Sequence, residues 1–181
     1  MSGEPQHLVI LRGNSASGKT TLARELQLAM GRGTANIGQD HLRRVVLREH
    51  DRPDADNIGL IENTVRYCLG IGYHVILEGI LRAGHYAPML RRLLGEHSGP
   101  RHVFYLDVPL TETLRRHAGR PLAAEVTDTQ LRQWHLPGDV LGVPGEVVLG
   151  GHLGPAEALD ALRQQIGPVV PRPQLPPAHF R

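Results

Sequence analysis

The sequence contains one lysine, one cysteine and no long apolar run. Lys19 is the only lysine among 20 basic residues, and Cys68 is the only cysteine in 181 residues. A single cysteine excludes an intrachain disulfide and any zinc site that needs several thiolates. No stretch approaches the roughly 18 apolar residues of a membrane-spanning helix, and the first residues lack the pattern of a signal peptide. We therefore expect a protein of the reducing cytoplasm.

The chain is also poor in aromatic residues, which make up 4% of the sequence, and its formal net charge is only +2. A binder of single-stranded nucleic acid needs a basic groove lined by stacking aromatic rings, so this composition disfavours nucleic acid as a partner. The 11 histidines are scattered and form no H-E-x-x-H pattern. We accordingly predict no transition metal ligated by the protein.

Residues 13–20 read Gly-Asn-Ser-Ala-Ser-Gly-Lys-Thr and fit the phosphate-binding pattern G-x-x-x-x-G-K-[ST]. An apolar run at 7–12, typical of a buried strand, precedes the loop, and an amphipathic helical pattern follows it. The glycines let the backbone turn with its N–H groups inward, and these donors form an anion site with the helix N-terminus. The predicted nucleotide-binding residues are Gly13, Asn14, Ser15, Ala16, Ser17, Gly18, Lys19, Thr20 and Thr21.

The solitary lysine supports this interpretation. Arginine stands at every other basic position, and the one lysine stands where a compact ammonium must fit against phosphate. Lys19 is expected to reach the β- and γ-phosphates of a nucleotide, and the Thr20 hydroxyl to ligate Mg²⁺. A GTPase that reads guanine with an N-K-x-D segment is excluded, because no second lysine exists.

Apolar runs alternate with helical patterns along the chain, which predicts βα units and a parallel sheet. Strands are expected at about 7–12, 34–38, 73–77, 102–107 and 146–149. Helices are expected at 19–31, 57–70, 85–96, 111–117, 125–134 and 155–166. A further helix is expected directly after Asp40, which would cap it. We expect one domain over 1–167, with a lid at about 115–143. The remaining 14 residues, 168–181, contain five prolines and predict a tail that is extended, loosely packed or disordered.

Three carboxylates follow strands of this predicted sheet. Asp40 comes just after the second strand, Glu78 ends the third and Asp107 ends the fourth. Ligands of open parallel sheets bind at the carboxyl ends of the strands, where these side chains would converge. Carboxylates beside a triphosphate require a cation, so the sequence predicts Mg²⁺.

Further motifs recur beyond the phosphate loop. Residues 38–43 contain a D-x-x-R segment, residues 78–82 read E-G-x-L-R, an Asp-Val-Pro at 107–109 is followed by two arginines, and residues 150–153 read Gly-Gly-His-Leu. With these motifs, residues 7–166 resemble the nucleoside-monophosphate-kinase branch of the P-loop proteins and the related zeta-toxin, chloramphenicol phosphotransferase and polynucleotide 5′-kinase groups. The resemblance implies a three-layer α/β/α P-loop kinase fold, with a five-stranded parallel sheet and a small arginine-bearing lid.

The resemblance also implies roles on the acceptor side. Asp40 would take the proton from an acceptor hydroxyl, and Arg43 would hold an acceptor anion. Glu78 and Arg82 would contact the substrate, with Glu78 near Mg²⁺ directly or through water. Two alternatives stay open: Asp40 as a plain helix N-cap, and Glu78 as a structural turn residue.

On the lid side, Arg116 and Arg120 lie four positions apart and would share one helix face. They would clamp the transferring phosphoryl group as the lid closes. Gly151 would lie along the adenine. Arg115 is expected at the surface, and Trp134 is expected in the core, with a place in the substrate wall as its alternative.

The function implied is an ATP- and Mg²⁺-dependent kinase that transfers the γ-phosphate to a hydroxyl of a small molecule, such as an antibiotic, a nucleoside or a nucleotide sugar. Three alternatives remain: a nucleoside-monophosphate-type kinase, a polynucleotide 5′-hydroxyl kinase and a non-catalytic ATP-binding regulator. A base at Asp40 favours a hydroxyl acceptor, because a phosphate acceptor is already anionic. The sequence leaves the acceptor and the oligomeric state open.

Overall fold

The computed structural model describes residues 5–118 and 126–172. It contains five strands, β1 (Leu8–Gly13), β2 (Thr34–Gly38), β3 (His74–Gly79), β4 (Arg101–Asp107) and β5 (Glu146–Gly150). They form one sheet in the order β2-β3-β1-β4-β5, and every neighbouring pair is parallel. The predicted five-stranded parallel sheet is therefore confirmed, and β1, which precedes the phosphate loop, lies at its centre.

Six α-helices connect or follow these strands: α1 (Lys19–Met30), α2 (Asp56–Gly70), α3 (Ala83–Glu96), α4 (Leu110–His117), α5 (Asp128–Trp134) and α6 (Pro155–Ile166). The helix predicted from residue 125 begins only at Asp128, because Thr127 caps it in a reciprocal capping box with Gln130. Residue 125 itself lies outside the described residues. Within the described ranges, no helix has both the length and the hydropathy that a bilayer crossing requires.

Helices cover both faces of the sheet, which explains why β1 and β3 are buried along their whole length. Alternate residues of β1 point to opposite faces. Leu8 and Ile10 pack with the buried residues of α2 and α3. Val9 and Leu11 pack with those of α1 and α6. Each fully buried side chain of this kind stabilises the fold by about 1.5–3 kcal/mol, so the carboxyl edge of the sheet is a rigid platform.

The segment after Asp40 differs from the predicted α-helix. It forms a six-residue π-helical turn, His41–Val46, and the Asp40 side chain makes no capping hydrogen bond. The predicted capping role of Asp40 is therefore wrong. Arg48 adopts a left-handed conformation with φ of 57° and ends the helical path early. The turn buries none of its residues, and Val45 is 64% exposed.

The described part of the proline-rich tail, residues 168–172, is neither helix nor strand, and it lies close to the amino ends of β2 and β3. The Arg172 backbone N–H donates to the Arg32 carbonyl at 2.8 Å. Its guanidinium stands 5.0 Å from the centre of the Tyr73 ring. The His74 Nε2 atom lies 3.3 Å from the Val170 carbonyl oxygen. Residues 173–181 of the predicted tail lie outside the described residues.

Candidate active site

The phosphate loop joins the end of β1 to the start of α1, as the sequence predicts. Gly13 has a positive φ, and a Cβ atom there would stand only 2.7 Å from the Leu106 carbonyl oxygen of β4. Gly18, at the helix N-cap, lies in the left-handed region with φ of 96°. Both positions need glycine, because a side chain would clash at the first and strain the backbone at the second. The loop thus turns tightly over the N-terminus of α1.

Lys19 is buried at the first position of α1, and its ammonium lies inside the bend of the loop. The Nζ atom donates to the Asn14 carbonyl at 2.6 Å and to the Ser17 hydroxyl at 3.1 Å. These contacts hold the ammonium of the only lysine against the backbone of the loop, at the N-terminus of α1. A positive charge beside a helix N-terminus is the chemistry of a phosphate site.

Thr20 and Glu78 meet beside this ammonium. The Thr20 hydroxyl lies 3.2 and 3.3 Å from the two carboxylate oxygens of Glu78. Burial raises the pKa of Glu78, and the charge of Asp40 adds to that rise, whereas the charge of Lys19 and the hydrogen bond from Thr20 oppose it. A buried carboxylate beside a hydroxyl offers the hard oxygen atoms that Mg²⁺ prefers.

Asp40 lies on the same edge of the sheet but faces solvent, with 59% of its side chain exposed. Its carboxylate pairs with Arg43 at 2.8 Å and with Arg44 at 3.5 Å. Arg43 also donates to the Glu49 carbonyl at 3.1 Å. The two arginines therefore fix the orientation of a carboxylate that remains accessible to another molecule.

Arg116 connects α4 to the phosphate loop. Its guanidinium donates to the Ser17 carbonyl at 3.1 Å and to the Gly151 carbonyl at 3.4 Å. Glu112 on the preceding turn of α4 holds the Nε atom at 2.6 Å. The structure thus brings Arg116, Gly151 and the loop together. α4 ends at His117. The predicted residue Arg120 lies outside the described residues.

Asn14 of the predicted nucleotide-binding set turns its side chain away from the inside of the loop. Its Nδ2 atom donates to the Leu136 carbonyl at 2.8 Å, and its Oδ1 atom accepts from the Leu136 N–H at 2.9 Å. The side chain therefore pairs with the main chain of Leu136, 122 positions away in the sequence. Only the main chain of Asn14 takes part in the phosphate loop.

Arg12, which the sequence analysis missed, is completely buried one residue before the loop. It pairs with Asp139 at 3.1 Å and with Glu146 at 3.5 Å, and it donates to the Leu81 carbonyl at 3.0 Å. Burial lowers the pKa of its guanidinium, and the two carboxylates counter that change. No local pattern marks this residue, because its partners are distant in sequence. It ties the 139–146 region to the end of β1.

A second buried network, also missed, supports the acceptor side. Gln39 donates to the Tyr86 hydroxyl at 2.9 Å, and that hydroxyl donates to Asp51 at 3.0 Å. Burial raises the pKa of Tyr86 to about 12, and the charge of Asp51 contributes to the rise. The network anchors the β2 end, directly before Asp40, to α3.

Trp134 is not a core residue, contrary to the sequence-based expectation: it is 41% exposed. Its carbonyl accepts from Arg82 at 3.1 Å, which links α5 to the loop after β3. A small cleft lies between these elements and the phosphate loop. It is lined by Asn14, Ser15, Ile80, Thr113, Leu131, Trp134 and His135. Of the predicted substrate-side residues, Glu78 contacts Thr20 at the start of α1 and Arg82 contacts the end of α5, and neither lines the cleft.

A family model described as an AAA domain (AAA_33) matches residues 8–136. No curated protein matches the sequence.

Solved structures of similar fold cover most of the chain. The APS kinase of Mycobacterium tuberculosis, in complex with AMPPNP and APS, is 17% identical, with a TM-score of 0.69 over 90% of this chain and 98% of its own. A gluconokinase from Sinorhizobium meliloti is 15% identical, with a TM-score of 0.64 over 91% and 95%. The tunicamycin resistance protein of Deinococcus radiodurans is 16% identical, with a TM-score of 0.62 over 94% and 100%. These likenesses show the predicted P-loop kinase fold.

Proposed function

The chain belongs to this AAA domain family of P-loop proteins, and from that premise we propose that it is an ATP- and Mg²⁺-dependent kinase acting on a hydroxyl of a small molecule. One observation carries the proposal. Lys19, the Thr20–Glu78 pair and Arg116 surround a single loop at the carboxyl end of the central strand. Phosphoryl transfer depends on positioning and on charge stabilisation, and these groups supply both.

The nucleotide side is built from the loop and α4. The backbone N–H groups of residues 13–18 and the N-terminus of α1 would receive the phosphates. Lys19 would neutralise the β- and γ-phosphates. Arg116, already against the Ser17 carbonyl, would stabilise the charge that develops on the transferring group. Gly151, held to Arg116 by its carbonyl, would lie along the base.

The residues present also fit Mg²⁺. This ion keeps several water ligands and takes one or two protein oxygens together with phosphate oxygens. Thr20 and Glu78 offer such oxygens at one place, and Glu78 is buried where an unbalanced negative charge is costly. When bound, the ion would neutralise the charge of the phosphates.

Asp40 supports the assignment of a hydroxyl acceptor. Its carboxylate is exposed, oriented by two arginines, and close enough to Glu78 to influence that residue electrostatically. In the proposed step the acceptor oxygen forms a bond to the γ-phosphorus, and its proton goes to Asp40. The bond to the β-phosphate oxygen breaks, and ADP leaves. Arg43 and Arg82 would orient the acceptor.

Names of proteins with the same fold support a small acceptor: an APS kinase, a gluconokinase and a tunicamycin resistance protein. A monophosphate acceptor would need no base, and a polynucleotide would need a basic, aromatic groove. A regulator would bind ATP without transferring phosphate. An oriented, accessible Asp40 thus disfavours the monophosphate kinase and the regulator, and the small net charge and few aromatic residues disfavour the polynucleotide kinase.

A transfer screen tests the proposal. Purified protein is incubated with Mg²⁺ and γ-labelled ATP, and with antibiotics, nucleosides, nucleotide sugars, sugar acids, nucleoside monophosphates or a 5′-hydroxyl oligonucleotide. We expect a labelled product from one class of small alcohol, and none when Asp40→Asn replaces the wild type. If the label appears on a nucleoside monophosphate or on the oligonucleotide, the proposed acceptor class is wrong and that compound's class takes its place. ATP binding without transfer in any arm would favour the regulator.

A further inference from the structure

The side chain of Asn14 joins the phosphate loop to the segment 134–139, which follows the lid helix α5. Its amide forms two hydrogen bonds with the Leu136 peptide, at 2.8 and 2.9 Å. The Tyr105 hydroxyl reinforces this contact, since it accepts from Asn14 at 3.3 Å and donates to the Leu136 carbonyl at 3.1 Å. Such paired and shared hydrogen bonds allow little independent movement of the two chain segments.

The same segment contacts the loop after β3 at two further points. The Trp134 carbonyl accepts from Arg82 at 3.1 Å. The Asp139 carboxylate accepts from the Ala83 backbone N–H at 3.0 Å. Segment 134–139 therefore bridges two places that the proposed reaction must coordinate: the phosphate loop and the residues expected to orient the acceptor.

The main chain of Asn14 is bound to the ammonium that would receive phosphate. The Asn14 carbonyl accepts from the Lys19 Nζ atom at 2.6 Å and from the Ser17 N–H at 3.3 Å. A phosphate group in the loop would draw the ammonium toward itself and weaken its bond to Asn14. Asn14 would thus lose a main-chain contact to Lys19, and the side chain of the same residue holds Leu136.

We propose that Asn14 is a positioning residue that couples nucleotide occupancy of the phosphate loop to the position of segment 134–139, and through Arg82 to the acceptor side. The inference rests on the proposed function, because it takes the loop to bind a nucleotide. The path is contiguous: Lys19, Asn14 and Leu136 are linked by direct hydrogen bonds. A contiguous path alone does not establish coupling, so the test must measure it.

The sequence supplies an optical probe at the right place, because Trp134 is the only tryptophan and lies two residues before Leu136. We would titrate the protein with Mg²⁺ and AMPPNP, measure affinity by calorimetry, and follow the Trp134 emission spectrum. Wild type should bind AMPPNP and shift its emission. Asn14→Ala should still reach saturation with AMPPNP, and at saturation it should lose most of the emission shift.

Two further variants make the result specific. Gln133→Ala removes an exposed amide next to Trp134 and should keep the full emission shift. Tyr105→Phe removes the reinforcing hydroxyl and should reduce the emission shift. If thermal melting shows that Asn14→Ala is unfolded, Tyr105→Phe takes its place in the test. A full emission shift in both Asn14→Ala and Tyr105→Phe would overturn the inference, as would wild-type binding without any shift. Loss of AMPPNP binding in Asn14→Ala would instead make Asn14 a nucleotide-binding residue. No AMPPNP binding by wild type would remove the proposed function itself.

Discussion

The hydroxyl of Thr20 lies within 3.3 Å of both carboxylate oxygens of Glu78, although the two residues are 58 positions apart in the sequence. Thr20 is the second residue of α1, which follows the phosphate loop, and Glu78 is the next-to-last residue of the neighbouring strand β3. The sheet order places β3 next to β1, so this pairing is a consequence of topology. The buried Glu78 carboxylate is thereby held against the Thr20 hydroxyl, where we propose that Mg²⁺ binds.

Glu78→Gln should increase the stability of the protein without Mg²⁺ and weaken its binding of nucleotide with Mg²⁺. An amide of the same shape carries no charge to bury, so we expect the melting temperature in EDTA to rise by roughly 2–4 °C, the effect of about 1 kcal/mol in a chain of this size. Calorimetry with Mg²⁺ and AMPPNP should show a loss of affinity of about 10-fold or more. Unchanged affinity would contradict a role of Glu78 near Mg²⁺.

The same carboxyl predicts a pH dependence. Its pKa in the folded protein is raised above the value of 4.5 for an unperturbed glutamate. The protonated form therefore stabilises the fold below that value, and the contribution is lost as the pH rises through the raised pKa. In EDTA, the melting temperature of wild type should fall relative to that of Glu78→Gln as the pH rises above about 4.5. Parallel pH curves for the two proteins would count against this assignment.

Arg116→Ala should slow phosphate transfer by about 10³-fold or more, because an arginine that stabilises the transferring group contributes on that scale. The rate can be followed with the acceptor found in the screen, or as slow ATP hydrolysis without acceptor. Arg115→Ala is the matched control: it lies on the same helix, with 74% of its side chain exposed. We expect the control to keep its rate. Equal losses in both variants would point to damage of α4 rather than to loss of a catalytic group.

Asp40→Asn should keep nucleotide affinity and reduce transfer to a hydroxyl by on the order of 10²–10⁴-fold. The amide preserves the shape of the side chain but cannot accept the acceptor proton. Rates at saturating ATP measure the effect, and calorimetry with AMPPNP checks binding. Since Asp40 makes no capping hydrogen bond, a change in melting temperature should be small. An unchanged transfer rate would remove the general-base assignment.

Arg12→Ala should destabilise the fold by about 3–5 kcal/mol, because it leaves Asp139 and Glu146 without their buried partner. Urea unfolding measures this free energy. Arg66→Ala, which breaks an exposed pairing with Glu62, should leave the free energy of unfolding almost unchanged. Similar losses for the two variants would show that the buried network adds little to stability.

The sequence predicted the parts of the molecule that depend on local pattern. The phosphate loop follows from eight consecutive residues, and the parallel sheet follows from buried runs such as Leu8–Gly13 alternating with amphipathic helices. The proximity of Thr20 and Glu78 could also be predicted from the sequence, because the carboxyl ends of parallel strands lie at one edge of the sheet.

Other features depend on contacts between distant residues, which no local pattern encodes. Asn14 fits the loop motif, but its side chain binds Leu136. Arg12 sits in an apolar run, and its buried charge is balanced by Asp139, far along the chain. The helix expected after Asp40 had suitable apolar spacing, but the segment forms a π-helical turn in which Leu42 packs against the core while Val45 and Val46 stay exposed.

The most direct test of the central claim is calorimetric titration of wild type and Lys19→Ala with ATP and Mg²⁺. Lys19 is the only ammonium side chain of the protein, and it lies within the loop that would hold the phosphates. The account predicts saturable binding by wild type and a loss of most of that affinity in a folded Lys19→Ala variant. Absence of binding by wild type, or equal affinity in the two proteins, would contradict it.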